Sequence, residues 1–220
     1  PRAARGNFLQ AVADTLALYT DRVFAMEAPG RLLLLAGSLA FTVQLIADFS
    51  GYTDIARGTA RMFGFELMEN FRAPFLAPDL SEFWRRWHIS LSSWIHEYVY
   101  KPVRSRTGRA FATVVALGLA GFWHGAAWHF VAFGLYFGVA MIVLRPVRLP
   151  WHALNVALTF SVVQGGLLLF REPDLTTLLH HLRLPAAGHA ELPLAAIVGA
   201  LAATGCTLLT VGGIVQRRAR

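Results

Sequence analysis

Four stretches of this sequence contain no Asp, Glu, Lys or Arg. They are residues 32–47 (16 residues), 110–144 (35), 149–170 (22) and 192–216 (25). A helix crosses the hydrocarbon core of a bilayer with about 20 apolar residues. On that measure 149–170 and 192–216 are transmembrane helices and 32–47 is a short membrane helix. The stretch 110–144 is too long for one ordinary span. Composition points the same way: 55% of the chain is hydrophobic and 15% charged, whereas soluble domains are about 25% charged. An ordinary soluble domain, a disordered chain, a fibrous repeat and a coiled coil are all excluded. The expected fold class is all-α, a polytopic helical membrane protein with interfacial amphipathic helices and a re-entrant or hairpin segment.

The net charge of +7 could by itself suggest nucleic-acid binding. In so apolar a chain it reads instead as basic loops facing a membrane, and no nucleic-acid partner is expected. One cysteine, Cys206, leaves no disulfide framework and no cysteine zinc site. It lies mid-span among Ala, Thr and Leu with no charge nearby, so it reads as inert. No short apolar run with a small-residue cleavage site follows the N-terminus, so a secretory signal is not expected. A chain that begins at Pro1 reads as a fragment or a processed piece.

Along the chain, Phe8, Val12, Leu16, Tyr19 and Val23 recur at helical spacing, giving an amphipathic helix over 7–26 that Pro29-Gly30 ends. The short membrane helix 32–47 runs into the polar segment Asp48-Phe49-Ser50-Gly51-Tyr52-Thr53-Asp54. Residues 55–80 are polar and broken, with Pro74 and Pro78. Ser81 is the expected N-cap of an interfacial helix over 81–100. One face of that helix carries Phe83, Trp84, Trp87, Leu91, Trp94, Ile95 and Tyr98; the other carries Arg85, Arg86, Ser92, Ser93 and Glu97. Such Trp- and Arg-rich amphipathicity suits a membrane surface.

Basic residues orient the spans. Arg217, Arg218 and Arg220 place the C-terminus in the cytoplasm, and the loop 171–191 falls outside. Arg145 and Arg148 return to the cytoplasm, the side also taken by Lys101, Arg104, Arg106 and Arg109. Both ends of 110–144 then lie on one side. At 1.5 Å per residue the stretch is about 50 Å long, a hairpin or re-entrant pair turning near residue 127 with His124 deep in the membrane or near its far side.

His88 and His124 are the leading candidates for chemistry. An ionisable side chain buried in a membrane is a functional hypothesis by default, although a helix–helix hydrogen bond would also account for either one. His129, five residues on, falls on another helical face, so no metal site is expected. His96, His152, His180, His181 and His189 read as solvated. Asp48 and Asp54 either line a polar cavity or mark the membrane interface. Gly134 and Gly138 form a G-x-x-x-G pair, which allows close helix packing. No G-x-S-x-G elbow and no P-loop is present.

Three segments carry a resemblance: DFSGYTDIARG (48–58), ENFRAPFLAPDLSEFWRRWHISLSSWIHEYVYKP (69–102) and GFWHGAAWHFVAFG (121–134). They closely resemble the membrane-bound O-acyltransferase family, in the bacterial branch of the alginate O-acetylase and the teichoic-acid D-alanyl transferase. LFREPDLTTLLHHLR (169–183) is similar to a segment of the alginate-type members. The resemblance implies that residues 1–220 form the C-terminal part of one such membrane domain, about half of an enzyme, so activity of the piece alone is not implied. It implies acyl transfer, of acetyl above all, from a thioester to a hydroxyl of an envelope or extracellular polysaccharide, directly or through a partner protein. The family's key histidine falls on His124 and its second motif histidine on His88. Trp123, Arg85, Arg86, Trp87, Asp54 and Asp48 are the supporting candidates. No cofactor is implied; acyl-CoA or a carrier-bound thioester is the donor substrate. The implied partners are the N-terminal half of the same chain, membrane lipid, and extracytoplasmic acetyltransferases or an acyl carrier protein. The implied location is the bacterial cytoplasmic membrane. The chain departs from the pattern at His96-Glu97, where relatives usually carry Arg-Asp, and at Phe133 and Phe137, which replace a Trp and a His.

A neutral imidazole near pH 7 is well matched to deprotonating an attacking hydroxyl, and the oxyanion needs donors in a dry site. With no activated Ser or Cys, direct transfer is favoured over an acyl-enzyme. The competing classes are a transporter or channel whose His88, His124 and Asp residues line a solute path, and a scaffold whose basic face docks an acyl carrier.

Overall fold

A computed structural model describes residues 2–183. The expected span 192–216, Cys206, His189 and the C-terminal arginines lie outside the described residues. Among the described residues every regular element is helical. The described residues divide into two compact units, one formed from residues 2–68 with 176–183 and the other from 69–175.

The first unit is built on an antiparallel pair, α1 (Arg2–Phe24) and α2 (Arg31–Met62). The helices meet closely where Gly6 faces Gly51: a Cβ on Gly6 would sit 2.8 Å from the Gly51 carbonyl oxygen. Residues Leu9, Ala13, Leu16, Thr20 and Val23 of α1 are buried, while Phe8 is exposed. The apolar stripe expected through Phe8 and Val12 is therefore rotated by about one residue. Small side chains such as Ala13 let the backbones approach, and that proximity decides the buried face. α2 also departs from expectation. The polar segment 48–54 does not end the membrane helix; the helix continues through it to Met62. Its carboxylates Asp48 and Asp54 find partners on α1, which removes the penalty for keeping them in a helix. Among the described residues, α2 and α8 (His152–Arg171) are the helices long and apolar enough to cross a bilayer.

His181, on α9 (Leu175–Arg183), is 1% exposed rather than solvated. Its Nε2 lies 3.2 Å from the Glu27 carbonyl oxygen, so a backbone acceptor in the α1–α2 connection draws the ring inward.

In the second unit a 3₁₀ turn (Pro74–Leu76) leads into α3 (Leu80–Arg86) and α4 (Ile89–Ile95). A π-helical turn (His96–Tyr100) and α5 (Lys101–Thr107) follow. The N-cap is Asp79, not Ser81: its carboxylate accepts from the Glu82 N–H at 2.8 Å. The expected single helix over 81–100 is broken at Trp87-His88. α6 (Arg109–Phe122) and α7 (Trp128–Val143) form the expected hairpin, turning over 123–127. A Cβ on Gly121 would lie 2.1 Å from the Phe130 carbonyl oxygen, and one on Gly134 would lie 2.2 Å from that of Leu117. The backbones touch at these glycines. Ile95 of α4 packs with Ala116 and Ala120 of α6. α7 meets α8 where the Tyr136 hydroxyl donates to the Val162 carbonyl at 2.9 Å.

Candidate active site

His88 sits at the break between α3 and α4, with φ 43° and ψ 54°. A non-glycine residue in this left-handed region is disfavoured by about 1–2 kcal/mol, so the surroundings must hold it there. The incoming segment 70–72 does so. The Arg72 N–H donates to the Arg86 carbonyl at 3.0 Å and the Ile89 N–H to the Asn70 carbonyl at 3.0 Å. The Asn70 side-chain oxygen accepts from both the Ser90 N–H (3.1 Å) and the Ser90 hydroxyl (2.7 Å). The same Ser90 Oγ is 3.4 Å from His88 Nδ1. On the far side of the break the Ser92 hydroxyl donates to the Trp87 carbonyl at 2.9 Å.

His124 lies in the turn between α6 and α7. The residue as a whole is exposed, and its imidazole is backed by the rings of Phe170 (5.1 Å), Phe130 (6.1 Å) and Phe133 (6.2 Å). Phe133 packs on Phe137 at 5.1 Å, and Phe137 lies edge-on to Trp84 at 5.2 Å and stacked over Phe83 at 6.4 Å. Phe83 in turn stacks on Trp87 at 5.6 Å. A continuous aromatic wall thus joins the turn carrying His124 to the break carrying His88. The two departures noted in the sequence, Phe133 and Phe137, are central members of that wall; Phe137 is 1% exposed.

The two histidines feel one another. Burial, with a smaller push from the His124 imidazole, lowers His88 from its usual 6.5 to about 4. Residues 36 positions apart in the sequence therefore lie within electrostatic reach inside one unit. His88 is held neutral at pH 7, and its charged form is suppressed by both low polarity and a like neighbour.

Among the supporting candidates, Trp87 belongs to the aromatic wall, and Trp123 stands beside His124 with its side chain exposed. Arg85 and Arg86 both pair with Glu82, at 2.8 and 2.7 Å, so on α3 they brace a carboxylate. Asp48 and Asp54 belong to the first unit. Asp54 is buried against Arg5 at 3.0 Å, and Asp48 accepts from the Gln10 side-chain amide at 3.0 Å. Glu97, at the departure from the family pattern, is paired with Lys101 at 2.6 Å. That ammonium holds its carboxyl below the usual range. Asn70, Ser90 and Phe170 were not singled out from the sequence. Asn70 and Ser90 lie inside the 69–102 motif, but nothing in spacing alone pairs residues twenty positions apart.

Comparison with known proteins gives the family. The model of the membrane-bound O-acyltransferase family matches residues 19–160, a stretch that includes both histidines and most of the wall. The probable alginate O-acetylase AlgI of Azotobacter vinelandii is 38% identical over 173 residues, covering 74% of this chain and 35% of that protein. The peptidoglycan O-acetyltransferase of Helicobacter pylori is 32% identical over 192 residues, covering 78% and 35%. The teichoic acid D-alanyltransferase of Streptococcus thermophilus is 29% identical over 158 residues, covering 57% and 38%. The chain spans about a third of the length of the curated relatives it matches. With its helices, its paired histidines and these matches taken together, the chain belongs to the membrane-bound O-acyltransferase family.

Proposed function

We propose that this chain carries the histidine centre of an O-acyltransferase in the bacterial cytoplasmic membrane. The enzyme moves an acyl group, acetyl above all, from a thioester to a hydroxyl of an envelope or extracellular polysaccharide. The carrying observation is the approach of His88 and His124 across an aromatic wall in one unit. The names of the relatives, which include O-acetylating enzymes acting on alginate and peptidoglycan, support the reaction class.

In this reading His124 is the general base. It takes the proton of the acceptor hydroxyl as the oxygen attacks the thioester carbonyl. As the tetrahedral adduct collapses, the new C–O bond remains, the C–S bond breaks and the imidazolium returns its proton to the departing thiolate. The exposure of the residue gives access to both substrates. The phenylalanines behind it exclude water from its other side, which limits hydrolysis of the thioester. His88 lines the same centre. The donor is acyl-CoA or a carrier-bound thioester, and the N-terminal portion of the protein completes the site. Extracytoplasmic acetyltransferases or an acyl carrier are the expected partners, with the C-terminus in the cytoplasm.

The test uses full-length protein in nanodiscs, radiolabelled acetyl donor and polysaccharide acceptor. His124→Ala is expected to lower transfer at least 100-fold, the lower end of what a positioned base contributes, with unchanged membrane insertion. Transfer at the wild-type rate in that variant would overturn the assignment.

A further inference from the structure

The hydrogen bonds from Ser90 to Asn70, with Ser90 Oγ 3.4 Å from His88 Nδ1, bear on where the His88 proton resides. The backbone N–H of Ser90 can only donate, so the Asn70 side-chain atom it meets at 3.1 Å must be the carbonyl oxygen. That oxygen carries no proton. The Ser90 hydroxyl, 2.7 Å from the same oxygen, must therefore be the donor in its contact. A hydroxyl has one proton. Once it is given to Asn70, Ser90 Oγ can only accept from its other neighbour, His88 Nδ1, at 3.4 Å. A neutral imidazole carries its proton on one nitrogen, and the partner of that nitrogen sets which.

We propose that Asn70 and Ser90 are positioning residues that hold His88 as the Nδ1–H tautomer, leaving Nε2 as the nitrogen with the lone pair. This deepens the acyltransferase reading and its functional half rests on it. A neutral Nε2 of this kind accepts a hydrogen bond. It can accept from a hydroxyl of the acceptor neighbouring the attacking one, whose own proton goes to His124, and it cannot donate to an oxyanion. The role of His88 is then on the acceptor-alcohol side of the reaction, and donors to the oxyanion come from other groups. The lowered proton affinity of His88 keeps it in the single-proton form that the chain of bonds selects. The backbone of Asn70 also holds the Ile89 N–H, a bond that side-chain substitutions leave in place, so the local fold survives the test.

The experiment is nitrogen-15 NMR of histidine-labelled full-length protein at pH 7, with the His88 signals identified by their loss in His88→Gln. A protonated-type Nδ1 and an unprotonated-type Nε2 are expected. Ser90→Thr, which keeps the hydroxyl, should retain that pair. Asn70→Ala releases the hydroxyl proton to face Nδ1 and should bring in the Nε2–H form. A wild-type spectrum with a protonated Nε2, or an Asn70→Ala spectrum identical to wild type, overturns the proposal. Transfer activity of the same proteins separates the two layers. If the tautomer shifts as expected while His88→Gln keeps full transfer, the positioning relation stands and the functional reading of His88 fails.

Discussion

At the scale of single residues, burial decides the chemistry of His88. Its fold suppresses the charged form, whereas the unfolded chain takes up a proton near the ordinary 6.5. Between that value and about 4 the unfolded state binds more protons, so stability falls as pH drops through this window and levels off below it. Melting of the full-length protein at pH 7 and pH 5 is expected to show a larger loss on acidification in wild type than in His88→Gln. Equal losses would contradict the burial of a neutral ring. The sequence indicated the two histidines by residue type and motif. It did not reveal the Asn70–Ser90 clamp, because a hydrogen bond across twenty positions depends on where the chain returns. It misread His181 for the same reason: the Glu27 carbonyl that buries it lies on another element.

Among elements, periodicity was a good guide wherever a helix's own hydrogen bonds decided its course. The hairpin α6–α7 and α8 follow the apolar pattern closely, and α1 forms as a helix although its buried face is rotated by about one residue. The failures have specific causes. Between α3 and α4 the three- and four-residue spacing of aromatics predicts one helix, yet the Asn70 segment supplies outside partners and forces the break at His88. In α2 the polar run 48–54 predicts a stop, yet Arg5 and Gln10 supply partners and the helix runs on. The α6–α7 hairpin depends on backbone contact. Gly121→Ala would drive a Cβ into the Phe130 carbonyl at 2.1 Å, and rigid backbone cannot yield as a flexible side chain would. Overpacking of this kind is expected to destabilise by about 1–3 kcal/mol or more, read as a lowered melting temperature. Because the turn carries His124, transfer should fall with it. Gly118→Ala meets only a leucine methyl at 3.4 Å and is the tolerated control.

Across the whole molecule, the hairpin has a consequence for topology. α6 and α7, of 14 and 16 residues, are about 21 and 24 Å long at 1.5 Å per residue. Each is short of the roughly 30 Å hydrocarbon core. They pair antiparallel, so the basic residues before α6 and after α7 emerge at the same end of the hairpin. Single cysteines at Arg106 and Arg145, in full-length protein otherwise free of cysteine, should be labelled by an impermeant thiol reagent from the same side of sealed vesicles. Labelling from opposite sides would show that 110–144 crosses the membrane once. The match to relatives covers about a third of their length.

The sequence by itself determined the helical membrane character, the hairpin and the two histidines. Charge-free length and residue chemistry are local properties, and the solvent acts on them directly. Only the tertiary structure decided that His88 and His124 share one centre, that Phe133 and Phe137 form the wall between them, and that a left-handed histidine interrupts an otherwise helical pattern. Each of those depends on groups distant in sequence meeting within a few ångströms. The stabilisation comes from pairing buried polar atoms and packing rings, so it exists only after the chain has brought its partners together.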